Sequence, residues 1–166
     1  MRAFLLDTNI WAYLYYREKY PQQYSNVIKH MSQIHDPVSL GISVISWGEI
    51  AVGLPGNGSG ENSVQREHLN FIRSEKPWLV GIDTHTAEQY GKLRGRLSSK
   101  RQRKKGDLVD LYTWLEVGSL ENDLWIVAQA VTKDLILVTN DRSSLRPLVG
   151  VAGDELHVEY WAEETV

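Results

Sequence analysis

Four acidic side chains stand at places from which they could serve one reaction: Asp7, Glu49, Asp123 and Asp141. Asp7 closes the apolar run Phe4-Leu5-Leu6, and Glu49 follows Ile45-Ser46-Trp47-Gly48. Asp123 opens a helical pattern in Glu121-Asn122-Asp123-Leu124-Trp125, and Asp141 follows Leu137-Val138-Thr139-Asn140. If the apolar runs are parallel strands, all four carboxylates gather at one sheet edge, where open α/β folds build their sites. Gathered carboxylates repel and are costly to hold without a cation. A divalent metal with oxygen ligands answers that cost, and its natural chemistry is phosphodiester hydrolysis. In this arrangement Asp7, Asp123 and Asp141 hold Mg2+ or Mn2+ directly or through water, and Glu49 completes the anionic pocket. One carboxylate orients or deprotonates the attacking water. Thr8, Asn9, Thr139 and Asn140 are short polar side chains suited to hold carboxylates or phosphate oxygens in place.

Each acid also has a plainer role. Asp7 suits the cap of a turn. Ser46-Trp47-Gly48-Glu49 matches the S-x-x-E capping box, in which Glu49 bonds back to the Ser46 backbone. Asp123 suits a first helical turn, with Asn122 as its cap. Asp141 suits the cap of a turn starting at Arg142. What favours a shared site is the repetition of the pattern on four separate segments.

The elements that must position these residues follow from periodicity. Ala3–Leu6, Leu40–Ile45, Pro77–Ile82, Leu135–Thr139 and Leu156–Tyr160 read as strands. Helical patterns cover 8–16, 22–34 after a break near Pro21, Ser46 to about Leu54, and 61–74. A helix capped by Thr84 follows, with Ala87, Tyr90, Leu93 and Leu97 at helical spacing. Then come a short helix at 107–117, another at 122–132 and a helical turn at 142–148. Strands alternating with helices predict a parallel sheet covered on both faces, in one domain spanning 1–166. The loop Pro55-Gly56-Asn57-Gly58-Ser59-Gly60 follows no strand, so its glycines do not read as a phosphate cradle.

The 166 residues suffice for a real core, and 42% of them are apolar. No apolar run approaches the roughly 18 residues of a membrane helix. The chain has no cysteine, which excludes disulfides and thiolate metal sites. Cytosol is the default location. The net charge of −3 hides a strong segregation. Residues 92–105 carry +8, residues 106–166 carry −9, and residues 1–91 carry −2. Lys100, Arg101, Arg103, Lys104 and Lys105 thus form a basic arm beside an acidic centre, suited to RNA phosphates or to an acidic partner. The plainer reading is a solvated helix end. The five histidines make no H-E-x-x-H spacing, and there is no G-x-S-x-G elbow or Walker loop. Asp7-Thr8-Asn9 lacks the second aspartate of a D-x-D phosphatase nucleophile. Most of the aromatic residues belong to core or interface, Trp125 to the core. Trp11, Tyr13, Tyr15 and Tyr16 could instead line a groove for a partner.

Leu5-Leu6-Asp7-Thr8-Asn9-Ile10 resembles the opening motif of the PIN-domain ribonucleases. Ser43–Leu54 resembles their second motif, Glu121–Ala130 their third and Leu135–Asp141 their fourth. His157-Val158-Glu159-Tyr160-Trp161 resembles their closing strand. Within that family the pattern is most similar to the VapC-type toxins of type II toxin–antitoxin modules. The resemblance spans nearly the whole chain. It implies a three-layer α/β/α PIN-like fold with a central parallel sheet, and a Mg2+- or Mn2+-dependent endoribonuclease. It also implies an RNA substrate, a homodimer and a cognate antitoxin over the acidic site. The catalytic roles map onto Asp7, Glu49, Asp123 and Asp141. The loop at 55–60 and residues 100–118 lengthen the chain relative to many such toxins. A solitary member without a toxin role, or a catalytically inactive scaffold that binds RNA or protein, would keep the same fold.

Overall fold

A computed structural model describes residues 2–34, 38–52, 63–101 and 120–163, with the side chains of Lys100 and Arg101 left aside. The helix expected at 107–117, the 55–60 loop and most of the basic arm lie outside the described residues. Five strands form one sheet: β1 Arg2–Leu6, β2 Val38–Ser43, β3 Trp78–Val80, β4 Ile136–Val138 and β5 His157–Glu159. All pairings are parallel, in the order β3-β2-β1-β4-β5. The α-helices among the described residues are α1 Thr8–Tyr15, α2 Pro21–Ser32, α3 Val44–Ala51, α4 Ser63–Glu75, α5 Thr84–Arg101, α6 Glu121–Thr132 and α7 Arg142–Ala152. The result is the expected three-layer α/β/α fold with a central parallel sheet. None of these helices is long and apolar enough to cross a membrane.

Apolar runs that do not alternate make sense in a sheet buried on both faces. Successive side chains of β1 point to opposite layers. Phe4 and Leu6 pack with Ile10 and Trp11 of α1, Val27 of α2, Ile50 of α3 and Leu69 and Ile72 of α4. Leu5 packs on the other side with Leu93 and Leu97 of α5, Leu124 of α6 and Leu145 and Leu148 of α7. Gly41 belongs where it is because the strands crowd it. A Cβ there would meet a Val80 methyl at 3.0 Å and the Phe4 carbonyl at 3.3 Å.

Several boundaries differ from the sequence reading, each for a local reason. β2 starts at Val38 and ends at Ser43, because Ser43 caps α3 by accepting the Ile45 N–H at 2.9 Å. The Ser46 capping box therefore does not form. Ser46 lies inside α3, buried, with no hydrogen-bond partner among the described residues. Thr84 is the first residue of α5 rather than its cap. Asp83 takes that role, accepting the Thr86 N–H at 2.8 Å. α7 runs on through Pro147 to Ala152, following its buried stripe of Leu145, Leu148, Val151 and Ala152. Trp11 is 1% exposed and belongs to the core, so it lines no partner groove. Trp125 is only half-buried, its ring stacked on Tyr90 at 3.9 Å.

One buried polar link ties the layers together at the sheet edge. Ser43 Oγ donates to Gln129 Oε1 at 2.6 Å, and Gln129 Nε2 donates to the Val80 carbonyl at 2.9 Å. Gln129 is fully buried, so its loss strands two polar groups. Gln129→Leu is expected to cost about 2 kcal/mol, a fall of roughly 4–8 °C in Tm by thermal denaturation. An unchanged Tm would show that the link is energetically idle.

Candidate functional site

The strand registers place Leu6, Ile42, Leu79, Val138 and Glu159 level across the sheet. Asp7 follows β1 directly, its backbone N–H still donating to the Val138 carbonyl at 2.9 Å. Thr139, Asn140 and Asp141 follow β4 on the adjoining strand, while α3 brings Glu49 and the first turn of α6 brings Asp123. These residues meet around an open depression of about 530 Å3, lined by Asp7, Thr8, Asn9, Ala12, Glu49, Val52, Asp123 and Asp141. No basic side chain is among the lining residues. Ala12 and Val52 were not singled out from sequence. Their signal was helical spacing, which puts Ala12 on the face of Thr8 and Val52 near the face of Glu49.

Asp7 is both a helix cap and a member of the pocket. One carboxylate oxygen accepts the Thr8 N–H at 2.7 Å. The other accepts from Asn9 Nδ2 at 2.7 Å and from Thr139 Oγ1 at 2.7 Å. Thr139 Oγ1 in turn accepts the Asp141 N–H at 3.1 Å, and Asn9 Oδ1 accepts the Asn140 N–H at 3.1 Å. Asn140 donates through Nδ2 to the Tyr13 hydroxyl at 3.1 Å rather than to a carboxylate. Glu49 is held from two sides, by a short hydrogen bond from Thr8 Oγ1 and by Asn122 Nδ2 at 2.7 Å. Asn122 is therefore not the cap of α6, which begins after Leu120. Its amide serves Glu49 instead. Asp141 does cap α7, accepting the Ser144 N–H at 3.0 Å and the Ser143 hydroxyl at 3.0 Å.

These surroundings push the acids apart in proton affinity. Hydrogen bonding, first from the Ser144 backbone, holds Asp141 below its ordinary range. Burial pushes Asp7 up, only partly offset by its hydrogen bonds from Thr139 and Thr8. Asp123 is raised to about 6, by desolvation first and then by the charges of Asp7, Glu49 and Asp141. No hydrogen bond from a described residue offsets these effects on Asp123. The cluster thus carries mutual repulsion that no described lining residue neutralises.

The donors are all oxygens, the chemistry of a hard divalent cation rather than of zinc. Among the described residues no three acidic or histidine side chains close around a common point as a complete ligand set.

The α/β/α sheet thus carries an acidic pocket, its polar lining all oxygen-bearing side chains apart from the Asn9 amide, at its carboxyl edge. The chain belongs to the PIN domain family, whose sequence pattern matches residues 4–146 and whose members are generally nucleases. Solved structures share the fold at low identity. A chain of VapBC-1 from nontypeable Haemophilus influenzae superimposes with a TM-score of 0.65 at 21% identity, covering 97% of this chain and 99% of its own. A chain of VapBC2 from Rickettsia felis, bound to a promoter DNA fragment, gives 0.61 at 22%, covering 96% and 98%. VapBC-5 from Mycobacterium tuberculosis, of the VapBC family of toxin-antitoxin systems, gives 0.56 at 18%, covering 96% and 99%. A search of curated proteins gives no match.

Proposed function

We propose that this protein is a metal-dependent endoribonuclease and the toxin of a type II toxin–antitoxin pair. The observation that carries the nuclease reading is the convergence of Asp7, Glu49, Asp123 and Asp141 on one pocket, whose described lining holds no basic side chain. Asp7, Asp123 and Asp141 would hold Mg2+ or Mn2+, directly or through water, with Glu49 completing the pocket. Bound there, the cation would polarise the phosphate and acidify a water. The chain's own residues do the rest. Thr139 and Asn9 lock the orientation of Asp7, and Thr8 and Asn122 lock that of Glu49. One carboxylate of the pocket would orient or deprotonate the attacking water. Ala12 and Val52 form the apolar wall against which a ribose or base would rest.

The toxin reading is supported by the neighbouring folds, which include a member of the VapBC family of toxin-antitoxin systems. On this reading residues 1–166 are a single PIN domain, homodimeric and cytosolic, with an antitoxin over the pocket. The basic residues Lys100, Arg101, Arg103, Lys104 and Lys105 would contact RNA phosphates, which an acidic centre by itself repels.

The test is incubation of purified protein with total cellular RNA, in Mg2+ or Mn2+ and in EDTA. Discrete fragments that disappear in EDTA are expected. A second reading, a scaffold that binds without turnover, draws on the open ligand geometry. Calorimetric titration with Mn2+ separates the two: absence of both binding and cleavage would replace the nuclease by the scaffold.

A further inference from the structure

Arg142 directly follows Asp141, yet its side chain turns away from the pocket lining and is held in place by the C-terminal segment. Its Nε and Nη2 donate to the two carboxylate oxygens of Glu163 at 2.5 and 2.6 Å. Its guanidinium carbon lies 3.7 Å from the centre of the Tyr160 ring. The segment that carries these partners is itself fixed. Trp161 is buried, its ring 5.0 Å from that of Phe4, and Asn26 Nδ2 donates to the Ala162 carbonyl at 3.0 Å. Tyr160 follows β5, which pairs with β4 through Val138 and Glu159. The guanidinium therefore sits at the same carboxyl edge as Asp7 and Asp141, over the adjoining strand. It remains 60% exposed.

We propose that Arg142 is a phosphate-binding residue of the RNA site, and that Glu163 occupies its donor fork until a substrate phosphate displaces it. This rests on the nuclease reading for the identity of the substrate. A planar guanidinium fork accepts carboxylate and phosphate in the same two-pronged geometry. Both partners are open to solvent, which screens the pair and lets a competing anion reach the fork. Tyr160 keeps the guanidinium plane oriented while the anion changes. The position also meets a need of the pocket: its lining holds no cation, whereas an RNA strand brings further phosphates to either side of the bond being cut. Arg142 is a binding residue, and Glu163 is its internal competitor.

The test is binding of a fluorescein-labelled 20-nucleotide single-stranded RNA to the full chain in EDTA, followed by anisotropy over a salt series. Arg142→Ala is expected to weaken binding roughly five-fold and to flatten the log Kd against log salt slope by about 0.7. Glu163→Gln, which keeps shape and removes the competing charge, is expected to tighten binding by a few-fold. Thermal melts of both variants establish that they fold. Unchanged affinity in Arg142→Ala, looser or unchanged binding in Glu163→Gln, or no binding by the wild type overturns the proposal. Metal-dependent cleavage is read separately in Mg2+. A wild type that binds with these changes but never cuts would remove the nuclease reading and leave the phosphate site standing.

Discussion

Asp7→Asn is expected to abolish metal-dependent RNA cleavage, by at least about 100-fold, in a protein that still folds. The figure takes the upper end of the roughly 10–100-fold loss seen when outer partners of a metal site are removed, which the loss of a direct ligand should reach or exceed. Asp7 gives the pocket a full negative charge from the centre of the sheet, and asparagine keeps its size while halving its acceptor capacity. Every group that contacts Asp7 donates to it: the Thr8 N–H, Asn9 Nδ2 and Thr139 Oγ1. An asparagine amide must face one of these donors, which costs on the order of 1 kcal/mol. Against that, the variant removes a buried charge. The folded-state pKa of Asp7 is raised, so its ionisation destabilises the fold as pH rises through that value. The two effects oppose, and Tm at pH 7.5 should stay within a few degrees of wild type. Cleavage by a folded, metal-replete Asp7→Asn protein at the wild-type rate would remove Asp7 from the reaction.

Asp123→Asn should do something a purely structural residue would not: stabilise the metal-free protein and abolish its stabilisation by metal. Asp123 is raised from 3.8 to about 6. A carboxyl with a raised folded-state pKa contributes stability below its unfolded pKa and loses it as pH climbs through the folded value. The wild type in EDTA should therefore weaken between about pH 4 and pH 6.5, and the variant should weaken less. The full shift would approach 3 kcal/mol, but the side chain is partly solvated, so about 1 kcal/mol is expected, or roughly 2–4 °C in Tm at pH 8. Added Mg2+ reverses the order. A cation at one hundred times its Kd stabilises the wild type by about 2.7 kcal/mol, and the variant by far less. Melting curves at pH 4.5, 6 and 8, with EDTA or Mg2+, check both halves. A variant less stable than wild type at pH 8 in EDTA would show that repulsion is not what the pocket stores.

Much of this molecule was legible in its residues because the dominant signals are local. Phe4-Leu5-Leu6 and Leu135 to Val138 are apolar without alternation, the mark of a strand covered on both sides. Helical spacing marked Leu93 and Leu97 as core. Asp7 and Asp141 stood out because each follows a strand, Asp123 because it opens a helix and Glu49 because it comes soon after a second apolar run; the parallel sheet and the helices α3 and α6 bring the four to one edge. Caps were harder to read. Ser43 and Ser46 are chemically equal candidates for the start of α3, and the competition was decided by where β2 ends.

The order of elements, the layers and the identity of the four acids were thus determined by the sequence itself, since hydrophobic periodicity and chain direction act over a few residues. Only the tertiary structure decided what each acid touches. That Asn122 serves Glu49 rather than capping its own helix depends on α3 and α6 meeting. That Gln129 bridges Ser43 and Val80 depends on three elements converging. That Arg142 finds Glu163 depends on Trp161 being buried against β1. Proton affinity belongs to the same class. The acids lie far apart along the chain, and their repulsion exists only once the sheet has closed the distance and the core has excluded the water that would screen them.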